Sequence, residues 1–339
     1  MLVQDQASPM NYNPVFIIGV QRSGTTLLRL ILNAHSEIAI PEEARFLSPI
    51  LKKDNINKKY KGNELRNLIR YLKSNSQFAL WNFDTTDFFR KIEKANEISV
   101  KELVALMFTS YCKSEGKNIW GDKSLFFGSI DILHELFPDA RFIHIVRDGR
   151  DVFDSWRRMD PSKDNPAVMA LDWATKEKNI AKSFNRIPGN KQLTIKYEDL
   201  LEQPEEVVKS ICEFLDIKYE INMLEFYKSS DRYIGKHHST LIFNKIDSQN
   251  THKWRKTLSA REIAIFTALS RSPLNNYGYE TADISPGLVD RVSMIYMLVS
   301  GLPYRFGQIL INKVRYSRAL KQGTDVTGLS IGELPREKQ

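Results

Sequence analysis

The sequence predicts an α/β fold: a parallel sheet of about five strands with helices on both faces. Three observations predict it. Five short apolar runs recur along the chain, segments with helical spacing separate them, and the first run passes through a glycine-rich turn into a helix. Strands alternating with helices make parallel sheets, because a parallel connection needs a crossover long enough to hold a helix.

The elements follow in order. The strand runs are VFIIG (15–19), EIAIP (37–41), NIWGD (118–122), RFIHIV (141–146) and QLTIKY (192–197). Runs such as FIHIV, apolar on both sides of the pleat, suit central strands covered on both faces. The connection over residues 42–117 is long but patterned. GNELRNLIRYLK and TTDFFRKIEKA carry apolar residues at helical spacing, and SVKELVALMF opens with Ser99 followed three positions on by Glu102, a capping box. This predicts a helical insertion lying over the sheet edge. QPEEVVKSICEFL starts with proline and two acids, as helices do. SAREIAIFTAL repeats the capping box with Ser259 and Glu262. A boundary is expected near residues 281–287. It leaves residues 1–280 as the main domain and 281–339 as a basic helical extension with a loose tail. From Asp290 to Lys321 the extension has six Lys/Arg against one acid. Two readings stay open for it: a helical pair on a membrane surface through residues 287–322, or, favoured here, an extension packed on the domain.

Bulk properties narrow the partners. The net charge of +8 favours an anionic one: nucleotide, nucleic acid, acidic glycan or membrane surface. Two cysteines, Cys112 and Cys212, stand too far apart for a disulfide framework or a metal motif, which fits a reducing cytoplasm. The N-terminus lacks the pattern of a secretory signal, and no uninterrupted apolar run predicts a membrane span. His237, His238 and His252 form one loose group with no supporting cysteine or carboxylate, so no metal is expected. The sequence leaves the oligomeric state open.

Chemistry concentrates in two places. In GVQRSGTT, Gly19 and Gly24 allow close backbone approach to an anion, and the following helix adds the positive end of its dipole. The loop is P-loop-like, yet Thr25 stands where a nucleotide-hydrolysing loop carries lysine, and Arg22 precedes it. That substitution argues against ATP or GTP hydrolysis. In FIHIVRDGRDVFDSWRRM, Arg147 follows a strand, and Ser155 falls about two turns into the next helix if that helix starts near Gly149. Two cationic sites at strand ends suggest a ligand with two separate phosphate-like groups.

Together, GVQRSGTT, PEEAR, WGDKS and VRDGRDVFDS resemble the sulfotransferase family, nearest to its tyrosylprotein branch and bacterial relatives, over residues 14–257. The resemblance implies 3′-phosphoadenosine 5′-phosphosulfate (PAPS) as donor, its bisphosphate (PAP) as product, and no metal. It implies that Arg22, Ser23, Gly24, Thr25 and Thr26 hold the phosphosulfate, that Arg147 and Ser155 hold the 3′-phosphate, and that Tyr197, Ser239 and Lys253 lie at the nucleotide. Glu43 takes the position of the catalytic base, with Glu42 as the neighbouring alternative, and Lys123 that of the cation beside the leaving group. Departures accompany the match. Met159 replaces an arginine, with Arg158 one place short. Of two arginines that read acidic peptides in the tyrosylprotein branch, Arg45 matches the first, but Pro49 stands at the second. A glycan, lipid-linked or small-molecule hydroxyl is therefore expected ahead of a peptide tyrosine. The rival reading is a metal-dependent nucleotide kinase or NTPase with a variant loop. Nucleic-acid binding rests on charge alone and is not expected.

Overall fold

A computed structural model describes residues 13–124, 128–228, 244–282 and 284–322. Strand β1 (Val15–Ile18) leads through the glycine-rich turn into α1 (Thr25–Asn33), and β2 is short (Ile38–Ala39). The long connection follows, with β3 (Lys59–Lys61), α2 (Gly62–Ser74), α3 (Ser76–Ala79), α4 (Thr86–Lys94), β4 (Glu97–Ser99) and α5 (Val100–Ser114). Next come β5 (Ile119–Asp122), α6 (Ile130–Leu136), β6 (Arg141–Val146), α7 (Gly149–Met159), α8 (Pro166–Phe184) and β7 (Gln192–Lys196). The last helices are α9 (Tyr197–Glu202), α10 (Pro204–Leu215), α11 (Trp254–Thr257), α12 (Ala260–Asn276) and α13 (Leu288–Gln322).

All five expected strands form one sheet in the order β2-β5-β1-β6-β7. Each neighbouring pair is parallel, with Val15 opposite both Gly121 and Arg141. The chain fills one side of β1 first and then crosses to the other. This puts the topological switch point beside β1, where open sheets of this kind form a ligand crevice at their carboxyl ends. Alternation along β1 buries both faces: Phe16 and Ile18 join an aromatic-rich core with Trp120, Phe137 and Phe142, while Val15 and Ile17 join the α1 and α10 side with Leu28, Ile31 and Val208. A third core lies under α7, α8 and α12 around Phe153, Trp156, Trp173 and Phe266.

The insertion is mainly helical but not wholly so: β3 and β4 pair as an antiparallel ribbon, Tyr60 opposite Ile98. Its polar-flanked runs KYK and EIS are too short to stand out in the sequence. Both expected capping boxes form, at Ser99–Glu102 and Ser259–Glu262.

The extension is one helix rather than a pair. Pro303 lies inside α13 without ending it. The stretch Leu288–Ile311 is long and apolar enough to cross a membrane, against the expectation of no such span. Asp290, Arg291 and Arg305 interrupt the run in sequence, which hides it from a search for unbroken apolar segments. Along its length α13 is tied to the domain. Arg261 of α12 pairs with Asp290 at 3.2 Å, the Asn165 amide donates to the Met297 carbonyl at 3.0 Å, and Arg305 reaches Asp172 of α8 at 3.1 Å.

Candidate active site

The carboxyl end of every strand in the main sheet delivers one expected site residue or segment. The β1 turn carries Arg22 to Thr26, the segment after β2 carries Glu43, and β5 is followed by Lys123. Arg147 follows β6 and Tyr197 follows β7.

The β1 turn is shaped by two residues in the left-handed region, Arg22 at φ 78° and Gly24 at φ 94°. Such a φ is costly for a non-glycine residue and is held only where surrounding contacts fix it. Here the Ser23 amide closes the turn by donating to the Val20 carbonyl at 3.0 Å. Gly24 has a second reason to lack a side chain, since a Cβ would stand 2.4 Å from the Tyr197 ring. Among the described residues no side chain caps the start of α1, and no acid occupies its first turn, so the helix end offers its amides to an anion. Thr25 is buried and Thr26 half-buried at that end.

Residues far apart in sequence meet on this turn. The Arg22 Nε donates to the Ser155 hydroxyl at 3.0 Å, and Arg147 Nη1 donates to the Arg22 carbonyl at 3.3 Å. Helix α7 starts at Gly149, which places Ser155 as the spacing required. Arg147 also donates to the Asn250 carbonyl at 3.1 Å and lies 4.4 Å from the Tyr197 ring centre, a cation–π contact. The Asn250 amide donates to the Tyr197 hydroxyl at 2.8 Å. Burial raises the Tyr197 phenol above its ordinary pKa, keeping it neutral, against a lowering pull from Arg147. The Ser23 hydroxyl and Arg147 Nε are buried, with no hydrogen-bond partner among the described residues. A buried donor without a partner costs about 1–3 kcal/mol. Both therefore fit a site built to receive an anion.

The second cluster is built of opposite charges. Glu43 contacts the buried Lys123 ammonium with one carboxylate oxygen and Arg45 at 2.5 Å with the other. Burial alone would raise the Glu43 pKa, but the Lys123 and Arg45 charges overcome it and hold the carboxyl lowered to about 2. Backbone geometry fixes the pair. The Ala44 amide donates to the Ser124 hydroxyl at 2.6 Å, and Ser124 donates to Asp122 at 2.8 Å. Burial pushes Asp122 up to about 6, while hydrogen bonds from Ser124 pull the other way. Glu42 turns elsewhere and pairs with Arg29 of α1 at 2.7 Å. That separates the two adjacent acids by partner: only Glu43 meets the lysine.

Other expected residues fall as follows. Lys253 is half-buried at the start of α11, next to Trp254. Arg158 is half-exposed and pairs with Asp154 at 2.5 Å, while Pro49 is buried. Ser239, with His237 and His238, lies outside the described residues.

Sequence reasoning missed the frame behind Arg147. Asp151 accepts from the Trp254 amide at 2.8 Å and stands 3.7 Å from Arg147. Arg150 stacks on the Trp254 ring at 3.7 Å and forks onto Asp148. Asn250 was missed as well. The signal was available for the first group, since RDGRD alternates charges at a strand end, but nothing in SQNTHKW marks its partner.

Residues 14–220 match the sulfotransferase family. The chain is 25% identical over 250 residues to an uncharacterized protein of Aquifex aeolicus, covering 72% of this chain and 30% of that one. It is 28% identical over 248 residues to protein-tyrosine sulfotransferase 1 of Danio rerio, covering 69% of this chain and 61% of that one. It thus spans less than two thirds of either relative. In fold it is similar to a sulfotransferase domain from the curacin biosynthetic pathway, with a TM-score of 0.59 and 24% identity over 79% of this chain and 98% of that one. The family match covers more than half of the chain, which belongs to the sulfotransferase family.

Proposed function

We propose that the protein transfers the sulfuryl group of PAPS to an acceptor hydroxyl without a metal ion. One observation carries the reading: Arg22, Ser155 and Arg147 converge on the open amides of α1, and a carboxylate–lysine pair occupies the two adjoining strand ends.

In this reading Arg22, the turn amides, Thr25 and Thr26 hold the phosphosulfate end, and Arg147 with Ser155 holds the 3′-phosphate. Tyr197 and Lys253 flank the nucleotide. The donor supplies an activated sulfuryl group on a good leaving group. The chain supplies position and charge, which dominate in transfers with loose transition states. Glu43 accepts the acceptor's hydroxyl proton. In the free protein it is a poor base, because its two cations hold its pKa near 2. Lys123 turning from Glu43 toward the leaving oxygen has two effects. It neutralises charge building there, and it lets burial raise the Glu43 pKa. Donor binding would in this way prepare the base.

The acceptor is proposed to be a glycan, lipid-linked or small-molecule hydroxyl. Arg45 is engaged by Glu43, and the buried Pro49 offers no second cation for an acidic peptide. Both cysteines are free and buried, which suits a reducing compartment such as the cytoplasm.

The test is calorimetric titration with PAP in EDTA. Tight binding without Mg²⁺ is expected. Failure to bind PAP, together with Mg²⁺-dependent ATP binding, would favour the kinase reading. Labelled PAPS incubated with fractionated extract then identifies the acceptor class.

A further inference from the structure

Helix α13 is apolar on two sides, more than a helix packed on a domain in water requires. Its inward side packs Leu298 and Leu302 against the core under α7, α8 and α12 and makes polar contacts through Asp290, Ser293, the Met297 carbonyl and Arg305. At Gly301 a Cβ would meet Val168 at 2.7 Å and Asn165 at 2.8 Å, so α13 lies hard against α8 there. Its outward side carries Leu288, Val292, Ile295, Val299, Phe306 and Leu310, spaced by threes and fours apart from the break at Pro303 and all exposed, Leu288 to 82%. A helix whose other side faces water keeps that side polar. Burying an apolar stripe is favourable, so its outward position calls for an apolar environment.

We infer that this face seats on a bilayer surface carrying anionic headgroups, with α13 lying in the membrane plane. Three features select that occupant. The first is width: Val289 and Tyr296 extend the stripe on one side, and Ile309 and Ile311 are both exposed beside Leu310. A coiled-coil seam with a second copy needs only a narrow two-position stripe. The second is charge. Arg291 near one end, and Arg315, Arg318 and Lys321 near the other, are exposed, and Asp290 is the single acid from there to Lys321. Exposed basic residues beside an apolar face are the pattern of interfacial helices. The third is attachment. The polar ties to α8 and α12 hold the helix along the domain, and spanning would break them. Length and composition alone would have allowed a span.

The experiment uses the full chain in co-sedimentation with vesicles of phosphatidylcholine alone and of equal parts phosphatidylcholine and phosphatidylglycerol. The wild type should pellet with the anionic vesicles and release as salt rises, since salt screens the headgroup attraction. The variant Ile295→Asp/Val299→Asp/Phe306→Asp/Leu310→Asp alters only exposed positions. It should partition at least about 10-fold less, given the apolar area withdrawn. Its thermal unfolding and PAP binding should match the wild type, which also separates this test from that of the proposed activity. Wild-type protein remaining in the supernatant overturns the inference, as does undiminished pelleting of the quadruple variant. A wild type that ignores vesicles but dimerises with rising concentration, while the variant stays monomeric, replaces the bilayer with a second copy.

Discussion

The turn after β1 and the charge cluster after β2 and β5 stand at the same sheet edge but hold their cations differently. At the turn, Arg22 donates to the Ser155 hydroxyl and Arg147 to two carbonyls, with Asp151 3.7 Å from Arg147. In the cluster, Lys123 is in direct contact with Glu43. Hydroxyl and carbonyl acceptors orient a guanidinium without neutralising it, and these contacts help preorganise the turn for an anion. Direct ion pairing cancels charge, so the cluster is silent until something draws Lys123 away. In the proposed function, the turn binds the donor and the cluster serves turnover.

The strongest challenge to that division is Arg22→Ala. It should weaken PAP binding by about 100-fold or more, because a charge-assisted anchor and the contact to Ser155 go together. Calorimetry reads it. A mild loss would mean that the amides of α1 hold the anion unaided.

Next comes Glu43→Gln. Turnover should fall about 100-fold, with PAP affinity within a few-fold of wild type, as expected when a general base is lost. Equal losses of turnover and affinity would dissolve the distinction between the regions. Lys123→Ala should cost a similar factor in turnover by removing charge stabilisation at the leaving oxygen.

The pH behaviour sharpens the contrast. Glu43 is depressed to about 2 from an ordinary value of 4.5. Its contribution to stability is therefore complete above the ordinary value and is lost as pH falls through the depressed one. Carbon-NMR titration of labelled glutamate should find it ionised throughout the folded range of the free protein. With PAP bound, or in Lys123→Ala, it should titrate at higher pH. No movement in either case would exclude a base released by ligand.

The smallest expected effect is that of Tyr197→Phe. It removes the hydrogen bond to Asn250 but keeps the ring under Arg147. A loss of about 1 kcal/mol in PAP binding, several-fold in Kd, is expected.

Much of this was legible in the sequence for physical reasons. Apolar runs covered on both faces mark central strands, and all five were found within a few residues. Glycines beside an arginine and two threonines mark an anion-binding turn. That Arg147 and Ser155 could face one anion was inferable once α7 was set to begin at Gly149, but their direct contacts with Arg22 were not. Other features depend on contacts that no local pattern carries. Adjacent acids look identical in PEEAR, and only the fold sends Glu42 to Arg29 and Glu43 to Lys123. The ribbon of β3 and β4 is three residues wide on each side and has no hydrophobic period to find. That α13 keeps a second apolar face turned outward was hidden because periodicity marks a stripe but not which way it points.

Glu43 and Lys123 bracket the long insertion, and three residues beyond the carboxylate Phe46 is wedged against Phe78 and Trp81, with ring centres 5.5 and 5.8 Å away. The proposed base is thus mounted on aromatic side chains of the insertion, and their packing runs on through Trp81, Phe108 and Trp120 to Phe16 of β1, the strand that leads into the arginine turn. Heat that loosens this shared packing should therefore slacken both ends of the sheet edge at once, so loss of PAP binding and loss of turnover are expected at the same temperature.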